Sequence, residues 1–470
     1  MPFYAPVPFG SRFADTQRLL QDDNDTLLAA LPEALVQQTA QATDLRFAEA
    51  ADDIFTPTVT LWTFLTQALS GSKSCVAAVA RTMVLLIALG RPPCSANSGG
   101  YCKARAKLSA AFLQQLTYAV GNATEDAAPE LWRWHGRRVL LVDGTEVSAA
   151  DTEANQAVYP QPTTQKPGVG FPLIRLVVLL TFATAGVVGA AWGPHAGKET
   201  GETALFRQLF DQLRAGDVVV ADRYHCSYAM IALLFLQDVG SAFRLHQRRL
   251  YDFRRGQRLG PGDHIVVWTK PARPEWMDKA LYEQLPATLR IREVRFRVTQ
   301  PGYRSQEIIV ATTLCDAAQY TKSMIADLYH QRWHVELDIR TIKQTLHMEP
   351  LRCQTPARLA NELWIHLLGY NLIRKVMAEA AQVNGRSPRQ LSFAGALQTL
   401  EAFRWILFFG SAERKRDIYG VVLIALGTHV VGDRPGRCEP RKVKRRPKSY
   451  PLLRKARAEE RAQQLEGSEG

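Results

Sequence analysis

The chain runs to 470 residues, 46% of them hydrophobic, which is enough to bury full cores in two or three domains. A formal net charge of +13 and an isoelectric point near 9.5 point to a polyanionic partner. The seven cysteines are odd in number and contain no CxxC pair, which argues against a disulfide scaffold or structural zinc and suits reduced thiols in a cytosol. No charged segment followed by an apolar stretch and a cleavage site opens the chain, so a cytoplasmic protein is expected.

Residues 1–130 read as a helical N-terminal domain. Apolar periodicity over 61–69, 75–89 and 100–118, broken by Gly71 and by Gly90-Arg-Pro-Pro93, predicts three helices with short turns. Three such helices are compatible with a helix-turn-helix-like DNA reader. Lys103, Arg105 and Lys107 could face DNA there, though the same spacing suits any solvated helix.

From Arg137 the pattern changes to short β-rich runs. The expected order is strand 137–143, strand 172–182, strand 187–192, helix 202–214, strand 217–222, helix 227–238 and strand 241–246. Leu173 to Trp192 is the longest apolar stretch, but Arg175 and an Ala185-Gly186 break make it a β-hairpin rather than a membrane span. Two of the strands close on acids: the first on Asp143-Gly144-Thr145, the fourth on Asp222-Arg223. A strand-end Asp often only caps the next turn. Buried carboxylates are nevertheless costly unless paired or metal-bound, so two in one chain are informative.

Further strands are expected over 263–268, 289–298 and 306–313, in a stretch rich in Arg248, Arg249, Arg254, Arg255 and Arg258. These arginines suit either DNA phosphates or a solvated loop. Trp268 and Trp276 suit either a core or a platform for an unstacked base.

The densest signal is Tyr329-x2-Arg332-x3-Glu336-x6-Lys343. On one continuous helix these side chains fall within an arc of about 60°, beside an apolar stripe of Leu328, Val335, Ile339, Ile342 and Leu346. A carboxylate between two cations and a phenol suits a site that holds a metal ion and grips phosphates together. The bland alternative is an amphipathic helix with charge pairs. His330 and His334 lie one turn apart, but Gln331 stands where a zinc-protease motif needs Glu, so they read as packing or groove residues.

The helical pattern continues to about Gln382, breaks at Asn384-Gly-Arg-Ser-Pro388, and is followed by an amphipathic stretch over 391–409 and an apolar run over 418–431. Residues 434–457 then hold eleven Lys and Arg against Glu439 alone, interrupted by prolines. That composition reads as an extended arm able to lie on DNA, or as a solvated tail.

The Asp143-Gly-Thr context, Asp222-Arg223 and the Tyr-x2-Arg-x3-Glu-x6-Lys signature together resemble the DDE transposases of the insertion sequence 4 family. The resemblance covers about 137–375 and shows no departure at any motif position. It implies an α/β, RNase H-like mixed sheet as the catalytic domain, 131–375, with a β-rich insertion at about 247–315. The order of expected strands and helices is that of such a sheet, whose first and fourth strands lie side by side. The resemblance further implies catalysis and metal binding by Asp143, Asp222 and Glu336, with Asp143 bridging two Mg²⁺ ions (Mn²⁺ substituting), and DNA-phosphate contacts from Tyr329, Arg332 and Lys343. Two such ions activate water and stabilise the leaving 3′ oxygen in phosphodiester cleavage. The partners so implied are double-stranded DNA, as element terminal inverted repeats and target, and a second subunit on paired ends. Region 376–433 would serve subunit pairing, 434–470 would be a basic tail, and no membrane is involved. An RNase H-type nuclease and a non-catalytic regulator derived from a transposase are the rival readings, the latter at odds with three retained acids.

Overall fold

The computed structural model describes residues 31–47, 54–88, 90–297, 307–408, 412–432 and 452–466. The first 30 residues, and residues 434–451 of the basic arm expected over 434–457, lie outside them.

Among the described residues five helices come first: α1 (Glu33–Ala42), α2 (Pro57–Leu69), α3 (Cys75–Ala88), α4 (Gly99–Lys107) and α5 (Ala110–Asp126). Thr56 caps α2 by accepting the Val59 N–H, and Pro57 occupies the first turn, where its missing N–H costs nothing. Ser109 caps α5 through the Phe112 N–H. The single helix expected over 100–118 is therefore two, because Leu108 turns to extended backbone between them.

The centre is one mixed sheet of nine strands: β1 (Val139–Ser148), β2 (Leu173–Thr181), β3 (Val187–Pro194), β4 (Val218–Ala221), β5 (Gly240–Arg244), β6 (Gln257–Gly260), β7 (Asp263–Thr269), β8 (Thr288–Arg297) and β9 (Glu307–Thr312). Their order is β3-β2-β1-β4-β5-β9-β8-β7-β6. β1, β2 and β3 pair antiparallel, and β4 and β5 run parallel to β1. This is the expected RNase H-like arrangement. The inserted strands β6 to β9 continue the same sheet from the edge of β5, all antiparallel. The apolar stretch read as a hairpin is β2 and β3, and among the described residues no helix is long and apolar enough to cross a membrane.

Alternation along the strands assigns each side chain to a face. Val139 and Leu141 of β1, with Val218 and Val220 of β4, enter the larger core, built with α5 and the C-terminal helices. Leu140, Val142, Val219 and Ala221 enter the second core, under α7 (Glu202–Arg207) and α8 (Tyr228–Leu236). Two short helices, α6 (Glu153–Val158) and α9 (Lys279–Gln284), lie in connections. After β9 come α10 (Lys322–His330), α11 (Trp333–Arg340), a π-helical turn (Thr341–Thr345), α12 (Pro356–Val383), α13 (Phe393–Phe408), α14 (Ala412–Thr428) and α15 (Arg457–Glu466). α12 is almost wholly buried in its middle and packs against α2, α5 and α14, joining the N-terminal helices to the sheet.

The insertion has a polar interior. Arg292 is fully buried and bidentate to Asp263, at 2.8 and 2.6 Å, and it also donates to the Tyr320 carbonyl. Trp268 is buried, its indole N–H on Glu293 and Arg249 stacked on its ring, so it is a core residue. Trp276 packs at the edge of the same core under Arg207. Arg254 and Arg255 pair with Asp252 at the surface. The six cysteines among the described residues are all unpaired.

Candidate active site

The parallel register of β1 on β4 sets the first two acids. Leu141 pairs with Val220, and continuing that register two residues brings Asp143 level with Asp222. β4 ends at Ala221, so Asp222 caps the following 3₁₀ turn, accepting the Tyr224 N–H at 2.8 Å. Asp143 was expected at a strand end. It lies within β1 instead, because antiparallel pairing with β2 carries that strand on to Ser148. The sheet edge at the acid is made by the shortness of β4.

As an odd-numbered residue of β1, Asp143 faces the larger core, where α11 packs by Val335 and Ile339. There Arg332 meets Asp143 Oδ2 at 3.6 Å and Glu336 Oε1 at 2.5 Å, tying the third acid to the first. Burial pushes the Asp143 carboxyl up to about 6, reinforced by Glu202 and Asp222 and opposed by Arg332 and the Gly144 N–H. Asp222 behaves oppositely. Burial raises it, but hydrogen bonds from His225 and the Tyr224 N–H, with the charge of Arg332, hold it below the usual carboxylate value.

The continuous helix expected through the signature is not formed. α10 ends at His330, the chain makes a tight turn through Gln331 and Arg332, and the helix widens to a π turn after Arg340. The 60° arc is therefore corrected. Arg332 and Glu336 keep their one-turn relation, while Lys343 is rotated onto β1. Its ammonium meets Thr145 Oγ1 at 3.2 Å, the Glu146 carbonyl at 2.5 Å and Glu349 at 3.0 Å. Tyr329 is buried beside Phe296, and burial pushes its phenol up to about 12 despite Arg332 and Arg244 nearby. His330 lies edge-on to Phe296, and burial, with Arg389, pushes His334 down to about 4. His334 is half-buried, while His330 is exposed apart from that ring contact.

Two residues near the acids escaped the sequence reading. Glu202, in the first turn of α7, lies against Gly144, where an added methyl would meet its carboxyl carbon at 2.5 Å. Even-numbered residues of β1 face this side, so Glu202 approaches Asp143 and Asp222 from the opposite face to Glu336, and its own carboxyl is raised by burial and by Asp222, against His225. His225 is 1% exposed, with Nδ1 3.3 Å from Asp222 Oδ1 and a buried Nε2 that finds no partner among the described residues. Gly144 in the Asp-Gly-Thr motif was the available signal for Glu202.

The donor set is all carboxylate oxygen, which suits a hard divalent cation. Among the described residues no three acid, His or Cys side chains already converge on one point. Arg332 supplies the positive charge between Asp143 and Glu336, where carboxylates otherwise require a cation.

Residues 134–372 match the family model described as Transposase DDE domain, just over half of the chain. Transposase InsG for insertion sequence element IS4, from Escherichia coli strain K12, is 28% identical over 363 residues, covering 75% of this chain and 78% of that protein. The transposase for insertion sequence element IS421 of Escherichia coli is 22% identical over 349 residues, 62% of this chain and 91% of that one. A cryo-EM structure of a piggyBac transposase synaptic complex with hairpin DNA aligns with a TM-score of 0.40 and 10% identity over 87% of this chain and 85% of that one, too slight a likeness to argue from. The chain belongs to the DDE transposase family, with its sequence relatives among the insertion sequence 4 transposases. It is a DNA transposase of an insertion sequence, an enzyme of DNA cleavage and strand transfer that binds DNA and depends on divalent metal.

Proposed function

We propose that Asp143, Asp222 and Glu336 are the catalytic carboxylates, holding two Mg²⁺ ions per active site, with Mn²⁺ able to substitute. The observation that carries this is the β1/β4 register, which sets Asp143 level with Asp222, together with Arg332, which ties Glu336 to Asp143. Bound there, such ions supply Lewis acidity for in-line attack at phosphorus. The chain's own part is to position and release charge. Arg332 exchanges its carboxylates for a DNA phosphate, which its planar fork matches bidentately. Lys343 acts as a point charge beside β1. Tyr329, kept protonated by burial, donates from its phenol. His225 orients Asp222, and Glu202 adds negative charge beside Asp143 and Asp222 that a cation would neutralise.

The reaction is cutting at the element ends, with water as nucleophile, then joining of the 3′ ends to target DNA, with a 3′-hydroxyl as nucleophile. The DNA partners are the terminal inverted repeats and the target. Residues 1–130 recognise the ends, 131–375 catalyse, 376–433 pair subunits on DNA, and the basic segment 434–470 lies along phosphates, all within a bacterial cytoplasm at the nucleoid. The charge of the tail and the basic residues of the N-terminal helices support this division.

The test mixes the protein with Mg²⁺ or Mn²⁺ and a labelled duplex carrying the element's flanking end sequence. Nicking at the end and joining into plasmid, both lost in Glu336→Gln and Asp222→Ala while end binding persists, is the expected result. Cutting of any duplex without joining would support the nuclease reading, and specific binding without cutting the regulator.

A further inference from the structure

A cavity of about 520 Å³ opens between α2, α3 and α4 on one side and the N-terminus of α12 on the other. Lys73 on its wall reaches the carbonyls of Leu346 and His347, and no residue assigned to cleavage lines it. Four cations line it, Lys73, Arg105, Arg352 and Arg358, against one acid, Glu362. That acid is already engaged. Its oxygens accept the Arg352 N–H at 3.0 and 2.9 Å and the Cys353 N–H at 2.8 Å.

The cations are not matched by anything else described. Among the described residues none of the four forms an ion pair. Arg105, whose spacing suits either DNA or solvent, is turned inward, with Nη1 3.0 Å from Gln67 Oε1 and its plane over Phe64 and Tyr101. Lys73 is held by the carbonyls of Leu346 and His347 and by His366 Nε2 at 2.9 Å. Burial, against Glu362 and with Arg352, pushes its ammonium down to about 8. Thr355, at the head of α12, makes no side-chain bond to the first turn, so the positive end of a 28-residue helix adds to the same mouth. Like charges gathered in a partly desolvated cavity repel unless an anion joins them. The volume falls in the range of sites for small ligands, about 300–1,000 Å³.

We propose that this cavity is a phosphate-binding site, separate from the catalytic carboxylates, that receives a phosphate group from a free nucleotide-like compound or from the DNA backbone. Arg352 and Arg358 at the exposed rim grip the oxygens, and Lys73 and Arg105 form the floor. The inference uses no assignment at Asp143, Asp222 or Glu336, so its failure and theirs are separate.

The test uses the full chain and the double variant Arg352→Gln/Arg358→Gln, both exposed positions, with Arg386→Gln as a charge control. Calorimetry with sodium pyrophosphate should show binding that weakens at least tenfold in the double variant and not in the control. If DNA binding keeps its salt dependence, the phosphate is that of a free compound. If the slope of log K against log salt falls by about 1, as loss of one phosphate contact requires, and pyrophosphate competes with duplex, the phosphate is that of DNA. Equal pyrophosphate binding by wild type and double variant, with an unchanged slope, overturns the proposal.

Discussion

Replacing Arg332 with Gln separates the two roles given to this residue. Its guanidinium sits 3.6 Å from Asp143 and 2.5 Å from Glu336. At those separations and an effective dielectric near 20, each contact has a Coulomb ceiling of about 5–7 kcal/mol. Desolvation of the pair and the partial exposure of Glu336 take back most of that, leaving about 1–3 kcal/mol for the hydrogen-bonded cluster. Arg332→Gln should therefore lower unfolding stability in EDTA by that amount, read from the urea midpoint. Its effect on metal should have the opposite sign. Without the competing cation, Mn²⁺ binding followed by calorimetry or by the spectrum of free Mn²⁺ should tighten up to about tenfold, equivalent to 1.4 kcal/mol. Nicking should nevertheless be lost, because the phosphate grip is gone. Arg340→Gln, at the exposed end of the same helix, removes equal charge without the contacts and should do neither. Unchanged or weaker Mn²⁺ affinity in Arg332→Gln would refute the idea that the guanidinium stands in for a metal ion.

Three other outcomes follow from the geometry. His366 is fully buried, its Nδ1–H donating to the Glu362 carbonyl and its Nε2 accepting from Lys73, and burial with Lys73 depresses it to about 3. A depressed group contributes stability that is present above its unfolded value near 6.5 and lost as pH falls, so wild type should lose about 2 kcal/mol more than His366→Gln between pH 6.5 and 5; parallel urea-midpoint curves would contradict this. Gly144→Ala should displace the Glu202 carboxyl and lower nicking about tenfold while changing unfolding stability by less than about 1 kcal/mol, and Gly144→Ala/Glu202→Ala should recover part of the loss if displacement is the cause. Arg292→Ala leaves Asp263 charged and buried and should cost about 3–5 kcal/mol in urea unfolding, whereas a loss under about 1 kcal/mol would show that water already reaches the pair.

β4 was legible because it is buried throughout and reads as an unbroken apolar run between Asp217 and Asp222, and β1 because it opens on four buried apolar residues before Asp143. Their pairing was legible through the resemblance, and with it the approach of Asp143 to Asp222. The position of Asp143 within its strand was not. A strand's end is set by the neighbour that stops hydrogen-bonding to it, and β4 stops at Ala221 while β2 continues along β1 to Ser148. The break at Gln331 and the π turn at Thr341–Thr345 were equally hidden, since neither holds Gly or Pro. Lys343 thus kept its place in the motif and lost its place on the helix face. Glu202 stands in the first turn of its helix, where an acid ordinarily serves the dipole, and only Gly144 opposite it marks the difference.

Buried acids alone do not mark the site, as the two on α11 show. Asp338, two residues on from Glu336 and so on the other side of the helix, is 2% exposed and paired on both oxygens: Oδ1 takes Arg374 at 2.6 Å and Oδ2 takes Arg389 at 2.5 Å, while Arg389 also donates to the Thr181 and Phe182 carbonyls. That triad pins α11 to α12 and to the end of β2 and has no capacity for another ligand. Glu336 makes one contact, to an arginine shared with Asp143, and is a third exposed. Around it Asp143 is held high, Glu202 is raised and the Nε2 of His225 has no partner among the described residues. Asp338 and Asp263 each take arginine nitrogens on both oxygens, whereas Asp143 and Glu336, at the junction of β1, β4 and α11, share one arginine between them. Unsatisfied charge held in place by a satisfied frame is what a site needs if it is to accept metal and phosphate without rebuilding the fold.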